Sequence, residues 1–277
     1  MNVASLRPLL AVLMVVGFCS CASQHVGEHQ TAAALDSVLA GSQRSPENRA
    51  RDVYRHPKET LLFFGIRPDM RVVEIWPGAG GWYTEILAPL LRERGQLYAA
   101  QWDTGSDLRR DTVQQYKDKL GAHPELYDRV TVTTLASPPA VNEIAPPASA
   151  DMVLTFRNMH NWMMLGWERD AFAAMYAALK PGGVLGVVDH RGNPTVPQDP
   201  KAGSGYVRQD YAIRMIESVG FKLVGTSEIN ANPKDTKDYE KGVWTLPPTY
   251  RQGEVDRERY RDIGESDRFT LKFVKPK

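Results

Sequence analysis

The sequence predicts an α/β fold, a single domain built on a mostly parallel sheet with helices on both faces. Three observations carry this reading. Short β-branched runs alternate with helical patterns from residue 72 to the C-terminus. The first of them, Val72, Val73 and Ile75, breaks into Pro77, Gly78, Gly80 and Gly81 and leads into a helix with Tyr83, Leu87, Leu90 and Leu91 on one face. The run from Asp151 to Phe156 is continuous and apolar, as a strand covered on both faces requires.

Taken in order, residues 22–48 are polar and broken by Gly27, Gly41 and Pro46, and they read as a tether or linker with one short helix over Ala32 to Ala40. From Ser45 an ordered prelude, interrupted at Pro57 and apolar from Leu61 to Phe64, turns at Gly65, Pro68 and Asp69 into the first strand. The second strand covers Gln96 to Ala100, followed by a polar helix from Leu108 to Leu120 that Gly121 stops. Val130 to Leu135 is a third strand, and a proline-rich connection leads to the fourth at Asp151. A helix lined by Phe172, Met175, Tyr176 and Leu179 ends at Lys180, Pro181, Gly182 and Gly183, before a fifth strand over Val184 to Val188. Val207, Tyr211, Met215 and Val219 mark a helix stopped by Gly220, and strands follow at Phe221 to Ser227 and Phe269 to Val274.

Composition narrows the classes. The chain has 277 residues, enough for one domain of about 200 to 250 residues with appendages. Its formal charge is +1 with the signs mixed, which leaves no nucleic-acid footprint. Both cysteines, Cys19 and Cys21, lie near the N-terminus, so disulfides, thiolate nucleophiles and thiolate metal sites are excluded from the body. His25, His29 and His56 have no coordinating spacing, and no metal is expected. Arg7 followed by an apolar run from Leu9 to Phe18 and small residues reads as a secretory signal peptide over residues 1–21. The end, FCSCAS, resembles a bacterial lipobox in which Cys21 is acylated, which would tether an exported, periplasmic protein to a membrane without spanning it. Cleavage after Ala22 and a retained anchor are the competing readings. No dimer interface is legible, and the oligomeric state stays open.

The order of parts carries a resemblance. Glu74 before the P-G-x-G turn, Asp151 opening the fourth strand, and LKPGG at Leu179 to Gly183 together resemble the class I S-adenosylmethionine-dependent methyltransferases. The resemblance covers residues 49–277 and is greatest to a group of predicted bacterial methyltransferases with an E-x-x-P-G-x-G-G-W-Y-T motif, some of them exported. It implies a Rossmann-like seven-stranded sheet of order 3-2-1-4-5-7-6 with the seventh strand antiparallel, and a ligand across the carboxyl ends of the strands. It also implies S-adenosyl-L-methionine as methyl donor. Glu74, Trp76, Pro77, Gly78 and Gly80 would hold its methionine part, and Arg157 and Asn158 would lie beside the methyl group. Trp76, Trp82 and Tyr83 suit the adenine or the sulfonium, since aromatic faces attract cations, with core packing the alternative for Trp82. Two positions depart from the pattern: Trp76 stands where the first glycine is usual, and Gln101 where an acid binds the ribose, with Asp103 two residues on as its substitute.

Methyl transfer asks the protein for alignment and, at a hydroxyl-type acceptor, for removal of a proton. His160 and His190 follow the fourth and fifth strands and are the candidate bases. Asp189 either orients a histidine or caps the following turn. Arg157 and Arg191 suit an acidic substrate group. A sixth strand parallel to the first ends on the ligand side, where an antiparallel seventh must start, so residues 230–268 lie over that edge as an insertion. With Arg51 to Lys58 they are expected to close the substrate pocket. The expected function is methyl transfer to a small molecule. The alternative is an exported, non-catalytic module that binds a small ligand on the same fold.

Overall fold

The β-branched runs form the strands expected of them. The structure, a computed structural model, describes residues 19–277, with side chains from residue 27. Helices α1 (Cys19–Ala40), α2 (Pro46–Arg49), α3 (Asp52–Arg55) and α4 (Pro57–Phe64) precede strand β1 (Arg71–Ile75). Then follow α5 (Thr84–Leu91), β2 (Gln96–Gln101), α6 (Asp107–Ala122), α7 (Pro124–Tyr127), β3 (Val130–Thr134) and β4 (Ala150–Phe156). The second half holds α8 (Met159–Leu165), α9 (Glu168–Ala178), β5 (Leu179–His190), α10 (Gln209–Ser218), β6 (Lys222–Ser227), α11 (Arg257–Ile263) and β7 (Arg268–Val274), with a 3₁₀ turn at Gly242–Thr245. The sheet order is β3-β2-β1-β4-β5-β7-β6, as expected. β7 runs antiparallel to β5 and β6, with His190 opposite Arg268.

Alternation along the strands splits the core in two. Val73, Ile75, Val153, Leu185 and Val187 pack with Trp162, Phe172 and Met175 of α8 and α9. Val72, Leu97, Met152 and Leu154 pack on the other face with Phe64, Ile86 and Leu87 of α4 and α5. The LKPGG segment loops out of β5: Leu179 pairs with Ala150 and Val184 with Met152, and Gly182 turns at φ +81° to donate its N–H to the carbonyl of Lys275 at 2.7 Å. Only glycine takes that φ without cost.

Two expectations need correction. The segment read as a linker is α1, a helix of 22 residues, with Leu35 fully buried and Val38 and Leu39 packed on the core beside α4 and α5. Its apolar stripe is narrow among polar residues, so it is visible only once the face that receives it is known. The inward face of α10 is also rotated from the one expected, with Ala212 and Ile216 buried while Tyr211 and Met215 are half-covered. The expected signal peptide lies almost wholly outside the described residues, as do the side chains of Cys19 and Cys21. Among the described residues no helix is long and apolar enough to cross a membrane.

Candidate functional site

The carboxyl ends of β1, β4 and β5 and the start of β7 meet at one edge. There the turn after β1, the loop into α8, His190 and the segment before β7 enclose a cleft of about 320 Å³. Pro77, Gly78, Arg157, Asn158, His160 and His190 line it from the expected set. Val243, Trp244, Pro247, Pro248 and Thr249, from the segment between β6 and β7, line the opposite side. Arg51 and Arg55 reach the same region by bonding Glu265.

Asp189 organises the chemistry. It is fully buried in β5, and its Oδ1 accepts from the backbone N–H of His190 at 2.7 Å and from His160 Nδ1 at 3.0 Å. Its Oδ2 accepts the backbone N–H of His160 at 3.3 Å. A carboxylate only accepts, so the proton in this bond sits on His160 Nδ1, and Nε2 is the ring nitrogen that does not face Asp189. Asp189 thus bonds the imidazole and the backbone of His160 together with the backbone N–H of His190. His190 stacks obliquely on His160 with ring centroids 5.2 Å apart, and its Nδ1 pairs with Ser266 Oγ. Burial, then the charges of His160, Arg268, Arg157 and Arg55, hold its pKa well below the usual imidazole range, so it stays neutral.

The glycine turn is open where a ligand would approach. A Cβ added at Gly78 or Gly80 would meet no atom within 4 Å. Trp76 takes the left-handed conformation, φ +48°, that a glycine would adopt without strain. It is held there by its N–H on the carbonyl of Ala100 at 2.8 Å, by its indole N–H on that of Leu135 at 3.0 Å, and by Trp102, Trp162 and Trp167 at ring distances of 5.6 to 5.7 Å. With Asn161 it separates the cleft from a wider one of about 860 Å³ bordered by Trp102, Ser106, Arg109 and Trp167. Gln101 is fully buried and donates to the carbonyl of Gly78 at 3.0 Å, while its Oε1 has no partner among the described residues. Asp103 turns to Arg109 at 2.6 Å and to the N–H of Gly105 at 2.8 Å.

Other expected residues sit beside the cleft. Glu74 is buried beneath the turn, where its Oε2 accepts from Thr84 Oγ1 at 2.7 Å, and Thr84 in turn meets Tyr116 OH at 3.0 Å. Burial lifts its carboxyl to about pH 7, against the lowering effects of Thr84 and Lys119. The buried carboxylate thus finds its partners in the protein. Tyr83 stacks on Phe156 with centroids 3.6 Å apart, and Trp82 packs between Arg44 and Arg55. Arg191 is spent on Glu228 and Asp267. Sequence reading missed Ser266 and Arg268. Their signal was positional, because an antiparallel seventh strand must begin at the ligand edge.

No family model and no curated protein sequence matches this chain. Solved structures do. A SAM-dependent methyltransferase from Aquifex aeolicus is 15% identical with a TM-score of 0.55, over 83% of this chain and 94% of its own. The [4+2]-cyclase SpnF is 15% identical with a TM-score of 0.58, over 92% and 97%. A geranyl diphosphate C-methyltransferase from Streptomyces coelicolor A3(2), solved with S-adenosyl-L-homocysteine, is 13% identical with a TM-score of 0.54, over 91% and 97%. The chain has the fold of the class I S-adenosylmethionine-dependent methyltransferases, a fold that its neighbours put to more than one reaction.

Proposed function

We propose that this chain is an S-adenosylmethionine-dependent methyltransferase acting on a small molecule in the 320 Å³ cleft. One observation carries the reading: a histidine oriented by a buried carboxylate faces the same cleft as an open glycine turn. Pro77, Gly78 and Asn158 would hold the donor. Bound there, the donor supplies an electrophilic methyl group on a sulfonium. His160 Nε2 takes the proton of the acceptor, and Asp189 stabilises the imidazolium that forms. Trp244, Pro247 and Pro248 cover the cleft and limit water. The N-terminal reading extends the proposal: residues 1–21 export the chain, and acylated Cys21 tethers it.

A second reading, a ligand-binding module without turnover, is favoured by Trp76, which fills the place of a glycine and divides the groove. Calorimetric titration of the full chain with S-adenosylmethionine and S-adenosylhomocysteine separates the two. Micromolar binding that weakens at least tenfold in Gly78→Asn supports the first, because asparagine tolerates φ +70° but fills the turn. A folded protein that binds neither ligand belongs to the second.

A further inference from the structure

Four guanidinium groups, two of which border the cleft, gather around one carboxylate. Glu265, buried, accepts from Arg51 Nε at 2.6 Å, from Arg55 Nε at 3.3 Å and from Arg268 Nη2. Arg157, the fourth, makes no side-chain hydrogen bond or ion pair among the described residues and borders the cleft. Four cations therefore face one anion. The neighbouring Asp267 is occupied by Lys237 and Arg191.

The cluster keeps donors unused. Among the described residues Arg55 Nη2, Arg51 Nη2 and Arg268 Nε are buried without a partner, and the side chains of Arg55 and Arg268 are only 4% and 3% exposed. Unmet buried N–H groups are costly and call for an acceptor. Arg55, Arg157 and Arg268 also line a recess of about 10 Å³, walled by Tyr83 and Phe156 and sharing Arg157, Arg268 and Phe156 with the cleft. That space suits one oxygen atom. Arg157 sits at φ +62°, a strained conformation for a residue with a Cβ, at the junction of recess and cleft. Burial and the other arginines lower its pKa to about 10, so it remains charged at neutral pH.

We propose that Arg55, Arg157 and Arg268 form an oxyanion subsite that takes a carboxylate or phosphate group, with one oxygen in the recess and the rest of the molecule toward His160. Calling that molecule the methyl acceptor rests on the reading above; anion binding itself does not. Guanidinium forks match both oxyanions in geometry and charge. The acceptor is thereby a small anionic molecule rather than a neutral one.

The test is thermal melting and calorimetry of the full chain with sodium phosphate and, separately, sodium acetate, at constant ionic strength and without donor. Phosphate or acetate should raise the melting temperature, and the stronger of the two names the oxyanion. Arg157→Gln should weaken binding at least tenfold while raising the ligand-free melting temperature by about 2–4 °C, as like charges are relieved. Arg157→Gly, which suits φ +62°, should behave the same way if the glutamine variant folds poorly. No response to either anion in the folded wild type, or an equal response in both variants, overturns the subsite. Donor binding measured separately stands or falls independently of this result.

Discussion

His160 Nδ1 and Asp189 Oδ1 are 3.0 Å apart at the carboxyl ends of adjacent strands, and both side chains are buried. Neither strand alone explains the pair. β4 and β5 lie side by side in parallel, so the loop that starts α8 swings His160 over the last residues of β5. The orientation of the imidazole follows from that register.

Asp189→Asn keeps the volume but adds a donor where the histidine needs an acceptor. The methyl-transfer rate is expected to fall by about 10²–10⁴-fold, the usual contribution of a general base, with donor affinity unchanged. Rate measurement with any acceptor found, together with nitrogen NMR of the imidazole, checks this. A protonated Nδ1 retained in the variant would contradict the orienting role.

Glu74 predicts a pH effect. Its folded pKa, about 7, lies above the ordinary 4.5, so the folded state binds the extra proton between those values. Stability from this group is fully present below pH 4.5 and is lost as pH rises through about 7, by about 3 kcal/mol at most. Glu74→Gln removes the charge and keeps an acceptor for Thr84. Denaturant unfolding should find the variant more stable than wild type at pH 8 and near-equal at pH 4.5.

Trp76→Gly joins the two clefts and relieves φ +48°. The lost ring contacts outweigh the relieved strain, and stability should drop by about 2–4 kcal/mol. Affinity for S-adenosylhomocysteine should rise if the indole is what divides the groove. Titration and chemical denaturation on the same sample measure both effects.

Leu35→Ala tests α1. A side chain with no exposure, packed in the core, costs about 2–5 kcal/mol on truncation, whereas one in a tether costs nothing. The unfolding midpoint decides between these. Arg44, also buried and paired twice with Asp52 at 2.6 and 2.8 Å, fixes the chain just after the helix.

The strands were readable because each has its own apolar run and its own stop, whereas their order came from the resemblance to the methyltransferases. The glycine turn and the two histidines were readable because strand ends converge in such a sheet. What Glu74 and Trp76 contact was not readable. Glu74 meets Thr84 of α5, which in turn meets Tyr116 of α6, and Trp76 meets three other indoles, through packing that no spacing encodes. The arginine cluster escaped for a related reason: its members, from Arg51 to Arg268, lie at opposite ends of the chain.

The measurement that tests the central claim most directly is a crystal structure of the full chain with S-adenosylhomocysteine. The account predicts the ligand against Gly78 and Asn158 in the cleft shared with His160, with the Trp76 indole displaced from the Leu135 carbonyl. A cleft without ligand at saturating concentration, with Trp76 still bonded to Leu135, would contradict it and leave a binding module on a methyltransferase fold.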